Sequence, residues 1–169
     1  LMILTREPGR IRLAGVGETS DAHHISAPEP EGRGAEAAMR AALEQAGLTP
    51  ADIGYINLHG TATEQNDRME SLAVARVFGS AIACGSTKAL TGHTLGAAGA
   101  LEVLFCYLAL LRQDGQLPRQ VWDGERDPEL ALLTQLGATR VEDPLRYAMS
   151  NSFAFGGNNI SLILELCDV

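Results

Sequence analysis

The sequence predicts an α/β fold built in layers, with a mainly parallel, mixed sheet flanked by helices. Three observations carry this. Short apolar runs, IRLAGVG (11–17), IGYINLHG (53–60) and AIACG (81–85), alternate with stretches of helical periodicity. One long apolar run, LGAAGALEVLFCYLALL (95–111), has the length of a core helix. The last two runs, RYAMSNSF and NISLILEL, follow one another with no helix between them, as an antiparallel closing hairpin would.

In chain order, IRLAGVG reads as a strand with a glycine-rich exit, and TSDAHHISAPEPEG (19–32) as a long loop. From Ala35, small apolar residues recur at Ala38, Met39, Ala42, Leu43 and Ala46, one face of a helix that Gly47 ends. Thr49-Pro50 has the form of an N-cap followed by proline in a short helix. After the second strand a helix is expected from about Asp67, capped by that carboxylate with Glu70 three residues on, and burying Leu72, Ala73 and Val77. Residues 113–144, with QLPRQVWDGERDP and VEDP, read mostly as connection.

At 169 residues, 46% hydrophobic and 20% charged, the chain has the size and composition of one soluble domain spanning 1–169. Its formal charge of −8 argues against a nucleic-acid partner and against docking on an anionic membrane. The apolar run is a little short of a membrane span and contains Glu102, so a buried core helix is the expectation. Three cysteines, with no CxxC, argue against a disulfide framework or zinc knuckle and point to a cytoplasmic setting. No signal-peptide pattern opens the sequence, which starts already apolar, as though mid-protein.

The chemistry concentrates in LHGTAT and STKALTGHTLGAAGALE. His59 and His93 each fall just beyond a strand, one helix and one strand apart, so a parallel sheet brings both to the edge where ligands bind. Each histidine taken alone is an ordinary loop residue; two at equivalent positions with Lys88 between them suggest a site. Neutral imidazoles donate N–H to an oxyanion without adding charge, and two of them suit the enolate oxygen of a decarboxylating thioester. Lys88 is placed to orient His93, and Glu102, if buried, needs a partner that Lys88 can supply. A metal site on His59, His93 and Cys84 is the rival; it lacks a further ligand at suitable spacing.

NLHGTATEQND, STKALTGHTLGAAGALE and SNSFAFGGNNISLIL resemble, in order and separation, three signatures in the C-terminal half of the β-ketoacyl-acyl-carrier-protein synthases. SDAHHIS and LTPADIGYI have counterparts there too, so the resemblance covers essentially the whole chain. It implies one α/β half of a thiolase-like fold and a decarboxylative Claisen condensation, with malonyl carried on the phosphopantetheine arm of acyl carrier protein and no other cofactor or metal. By that resemblance His59 and His93 promote decarboxylation, Lys88 hydrogen-bonds near His93, and Glu102 is its acidic partner. Thr61 and Thr63 match threonines that hold the pantetheine amides, Ser26 a position on the same channel, and Phe155 a gating phenylalanine. The acylated cysteine belongs to the family's N-terminal half, so the expected partners are that half, acyl carrier protein, and a second subunit in a homodimer or ketosynthase heterodimer. Alone, the fragment is expected to be inactive.

Ala154 and Asn158 stand where the common pattern has Gly and Thr, and Glu64 and Gln65 replace smaller or apolar residues; these departures bear on the acyl substrate rather than the reaction. Fatty-acid elongation and polyene or polyketide synthesis both remain open. The competing reading is a non-catalytic, chain-length-factor-like partner subunit. Such subunits typically lose catalytic residues, whereas His59, Lys88 and His93 are all present.

Overall fold

The computed structural model describes residues 3–153 and 155–168, with Phe155 described in its backbone only. Five strands form one mixed sheet in the order β1-β5-β4-β2-β3: β1 Ile11–Ser20, β2 Tyr55–Asn57, β3 Cys84–Gly85, β4 Tyr147–Phe153 and β5 Asn158–Leu166. β2 pairs in parallel with both β3 and β4, whereas β5 runs antiparallel to β4 and to β1. The closing hairpin is therefore present, and the first strand joins it from the far end of the sequence. Predicted strand 53–60 shortens to Tyr55–Asn57, beyond which the backbone leaves the ladder to build a loop, and 81–85 shortens to its last two residues, Cys84–Gly85.

Helices α1 (Arg33–Ala46) and α2 (Glu64–Phe78) cover one face of the sheet, where Met39, Met69 and Val74 pack on Ile56, Met149 and Ile163. α1 ends as the glycine predicts: Gly47 has φ +69, and the Gly47 and Leu48 N–H groups close onto the Glu44 and Leu43 carbonyls. Thr49 caps the 3-10 turn Pro50–Asp52 through a capping box with Asp52. α2 begins three residues before the expected start, with Thr63 at its N-cap, so Asp67 lies inside the first turn. Its buried stripe is Met69, Ala73, Val74 and Val77; Leu72 is only half-buried.

The short helix α3 (Lys88–Thr91) and the 3-10 turn Leu95–Ala97 lead into α4 (Ala98–Arg112), which lies on the other face. There Val103, Cys106 and Leu110 pack on Tyr55, Ala148 and Leu164. By length and composition alone the stretch Leu95–Arg112 is apolar enough to cross a membrane, but one side packs on the sheet and carries buried Glu102. The expectation of a wholly buried helix needs correction: Leu104 and Leu108 point outward, 37% and 46% exposed. The glycines at its start are not required by close packing. A Cβ on Gly96 meets nothing within 4 Å, and one on Gly99 only the Ser152 hydroxyl at 3.2 Å.

The glycines that set the packing are in β1. A Cβ on Gly17 would stand 1.8 Å from the Ala38 carbonyl oxygen, and one on Gly15 2.2 Å from that of Ala42. α1 thus rests on β1 at backbone distance. Gly17→Ala is expected to destabilise the fold by about 1–3 kcal/mol or more through overpacking. Gly96→Ala, with open space around it, is expected to leave stability unchanged or slightly raised. Urea unfolding midpoints of the two variants against the parent check the contrast.

Candidate functional site

The carboxyl ends of β2 and β3 lie side by side, since Asn57 pairs with Gly85, and the loops that leave them carry the predicted residues. His59 follows β2 and is buried. Gly60, with φ +45, turns the chain sharply; a side chain there would collide with Ser86, whose hydroxyl donates to the Gly60 carbonyl at 2.8 Å. The two loops are therefore locked together. Across this junction the His59 and His93 rings meet edge to face, with centroids 5.3 Å apart and planes at 83°.

Lys88 enters from α3 and is 8% exposed. Its ammonium donates to the Glu102 carboxylate and to the His59 carbonyl oxygen, and lies 3.4 Å from His59 Nδ1. An ammonium has only donors, so His59 Nδ1 is the acceptor and the ring proton sits on Nε2. His93 reaches the same tautomer differently: its Nδ1 accepts the Leu95 N–H at 3.1 Å. Burial, helped by the Lys88 charge and His93, pushes the His59 pKa down to about 3, and burial with Lys88 lowers that of His93 as well. Both rings are consequently held as neutral Nε2–H donors. The expected contact of Lys88 with His93 is corrected: among the described residues its hydrogen bonds go to His59 and Glu102.

Glu102 is almost wholly buried on α4, and its Oε2 has no hydrogen-bond partner among the described residues. Burial raises its carboxyl pKa, while Lys88 pulls it back. Cys84 does not join the imidazoles: its thiol lies in the α1/α2 core and burial pushes its pKa to about 12. The rival metal reading loses that ligand, and no group of three metal-ligating side chains converges among the described residues.

Glu70 is the residue that the sequence reading misassigned. Rather than completing a cap, its two carboxylate oxygens accept the N–H groups of His59 and Gly60, each at 2.8 Å. The available signal was its position on the buried stripe of α2, one residue after Met69 and three before Ala73. Burial pushes its pKa up to about 7 against these two bonds.

Thr61 and Thr63 share a hydrogen bond, Oγ1 to Oγ1 at 2.9 Å, and Thr61 lines a cavity together with Lys88 and His93. Ser26 is exposed on the 21–32 loop, its N–H donating to His24 Nδ1 at 3.1 Å. That loop is fastened to the turn Phe155–Gly157: the Gly156 N–H donates to the Ile25 carbonyl and the Asp21 N–H to the Gly157 carbonyl, both at 2.8 Å. Ala154 and the Phe155 side chain lie outside the described residues.

The sequence pattern of the β-ketoacyl synthase C-terminal domain matches residues 11–121. The chain is 40% identical over 157 residues to 3-oxoacyl-[acyl-carrier-protein] synthase 2 of Staphylococcus aureus, covering 90% of this chain and 38% of that protein. Among solved structures it superposes with TM-score 0.89 and 55% identity on a chain of the ketosynthase ApeO in complex with its chain length factor ApeC from Xenorhabdus doucetiae, covering 96% of this chain and 41% of that one. It also superposes with TM-score 0.84 and 28% identity on a chain of AntDE:AntF, a type II acyl-carrier protein in complex with its ketosynthase bound to the hexaketide, covering 94% and 39%. The chain thus spans less than half the length of these relatives.

Two predictions follow from the site's electrostatics. Removing one partner of the buried pair, by Glu102→Leu or Lys88→Met, is expected to cost about 3–5 kcal/mol of stability, while the double variant recovers most of that loss. Denaturant unfolding of all four species measures the coupling; equal losses in single and double variants would contradict it. The second concerns pH. From pH 6.5 downward His59 binds protons more readily unfolded than folded, so its contribution to stability falls with acidification. Glu70 acts in the opposite sense: between its ordinary 4.5 and its folded value of about 7 the folded state holds the extra proton, so stability rises as pH falls. In Glu70→Gln, stability is expected to drop steeply below pH 6.5; in His59→Asn it is expected to climb from pH 7 to 4.5. Parallel profiles for the two variants would rule this assignment out.

Proposed function

The chain belongs to the β-ketoacyl synthase C-terminal domain family, and from that premise we propose that it is the C-terminal half of a 3-oxoacyl-[acyl-carrier-protein] synthase. In this reading residues 1–169 form one domain, which works beside an N-terminal half that supplies the nucleophilic cysteine. The reaction is condensation of an acyl thioester with malonyl carried on acyl carrier protein, with loss of carbon dioxide. The relatives named above, a 3-oxoacyl-[acyl-carrier-protein] synthase and ketosynthases in complex with a chain length factor or an acyl-carrier protein, support it.

The carrying observation is the pair of imidazoles 5.3 Å apart, both neutral and both with Nε2–H free of other described partners. When the malonyl carboxylate departs, the electron pair of the breaking C–C bond moves onto the thioester oxygen as an enolate. Two preorganised N–H donors stabilise that oxygen without attracting the departing carboxylate, as a cationic imidazole would. The enolate carbon then attacks the acyl thioester and the cysteine leaves as thiolate. Lys88 and Glu102 act as positioning residues, because their ion pair sets the His59 tautomer and together adds no net charge. Thr61 and Thr63 are the assigned holders of the pantetheine amides, with Ser26 on the same channel and Phe155 as the gate. No cofactor beyond the carrier arm enters, and a cytoplasmic setting fits the free thiols of Cys84, Cys106 and Cys167. A non-catalytic partner subunit would have no use for this proton arrangement.

In the full-length enzyme, His59→Ala and His93→Ala are each expected to slow carbon dioxide release from malonyl-carrier protein by about a hundredfold or more, with self-acylation of the cysteine preserved. Labelled carbon dioxide and the mass of the acyl-enzyme are the two readouts. Parental decarboxylation in both variants would falsify the enolate role.

A further inference from the structure

The segment between α4 and β4 builds a strap along the outer edge of β3. Its later part pairs with that edge: the Cys84 N–H donates to the Gln135 carbonyl at 3.3 Å, and the Gly137 N–H to the Cys84 carbonyl at 2.8 Å. Every second residue of a strand presents its N–H and C=O to the same neighbour, so the next donor on this edge is the Ser86 N–H. The strap backbone has turned by then, with the Ala138 N–H closed onto the Gln135 carbonyl at 3.2 Å and Gly137 at φ +70. A side chain from the strap's earlier part meets the Ser86 N–H instead: Gln120 Oε1 accepts it at 2.9 Å.

The strap itself delivers Gln120 to this place. The Leu117 N–H donates to the Thr139 carbonyl at 3.0 Å and the Val141 N–H to the Gly115 carbonyl at 2.9 Å, which lays the two parts of the strap side by side. Two glycines flank the side chain: a Cβ on Gly85 would stand 3.2 Å from Gln120 Oε1, and one on Gly137 3.9 Å from Gln120 Cβ. Ser86 carries the hold onward. Its hydroxyl donates to the Gly60 carbonyl at 2.8 Å and accepts the Lys88 N–H at 3.3 Å. Gly60 follows His59, and the Lys88 ammonium lies 3.4 Å from His59 Nδ1. One side-chain carbonyl on the strap thus fixes the residue to which both loops of the site are tied.

We propose that Gln120 is a positioning residue: by holding Ser86 it sets the distance between the Lys88 ammonium and His59 Nδ1, and with it the Nε2–H tautomer of His59. It touches no reacting atom. Its effect on rate rests on the ketosynthase reading; its hold on the two loops does not. Without the Gln120 carbonyl, water can satisfy the Ser86 N–H, which is only part-buried, so the fold survives while the junction loosens. A shift of about 1 Å in a catalytic group is enough to slow chemistry by up to about a hundredfold.

The test compares Gln120→Met, which keeps the reach of the side chain but has no carbonyl, with Gln120→Glu, which keeps the acceptor. In the full-length enzyme, hydrogen–deuterium exchange of the Ser86 amide and of residues 58–62 is expected to quicken about tenfold in Gln120→Met and to stay near the parental rate in Gln120→Glu. For carbon dioxide release from malonyl-carrier protein, Gln120→Met is expected to lower kcat about tenfold with KM unchanged and self-acylation of the cysteine preserved. Gln120→Glu is expected to restore most of that rate. Gln120→Ala replaces Gln120→Met if circular dichroism shows that the latter does not fold. Parental exchange at 58–62 without the carbonyl, equal exchange in the two variants, or equal losses of acylation and decarboxylation overturns the proposal. An unsubstituted enzyme that releases no carbon dioxide removes the ketosynthase reading instead, and the exchange rates alone then decide whether Gln120 holds the loops.

Discussion

A lysine ammonium has three protons to place, and in this protein the Lys88 protons face Glu102 and the carbonyl oxygen and Nδ1 of His59, away from water. Few arrangements constrain a fold as strongly. The three contacts join the chain leaving β2, the chain leaving β3 and the first turns of α4, which come from different parts of the sequence and from both faces of the sheet. A buried ion pair contributes little net stability when its desolvation is counted, but it is costly to break, so any packing that separated these elements would strand a charge. The pair therefore specifies the junction more than it strengthens it.

The junction determines the chemistry because protonation states follow from it. His59 is kept neutral by burial beside a cation, and its proton is directed to Nε2 because Nδ1 is occupied. Glu70 holds the same loop from below, through the backbone rather than the ring, so it aims His59 without touching its nitrogens. His93 is more exposed and depends on one local bond from Leu95. The two donors are thus unequal in rigidity: one is set by tertiary contacts and the other by the turn that starts α4.

Much of this was legible in the sequence, for identifiable reasons. The periodicity of α1 and its glycine stop are local properties, as is the Thr49-Pro50 helix start, and each appears as expected. The meeting of His59 with His93 followed from strand order alone. What the sequence did not show was direction. Whether Lys88 addresses His59 or His93 depends on how α3 turns after β3, and spacing cannot resolve that. Glu70 was misread because a glutamate shortly after an aspartate fits a cap as well as a buried hinge, and only the depth of α2 against β2 separates the two. The importance of Gly15 and Gly17 over Gly96 and Gly99 reflects long-range approach of a helix backbone, to which local pattern is blind. The strap, too, read as mere connection, since nothing in its composition announces what it covers.

The pairing of the first strand with the last has a consequence for how the molecule is made. Arg12 and Glu165 bond across neighbouring strands although 153 residues separate them in sequence. During synthesis β1 emerges before β5 and cannot make this pairing until β5 has followed it. Until then its edge and the face of α1 that rests on it stay unpaired, an interval in which a nascent chain is open to wrong partners. The entropy of closing so long a loop grows only slowly with length, so the finished contact is not greatly weakened by its span. The burden falls on timing: β1 waits for β5 while the chain between them is made, and the sheet closes only when both are present.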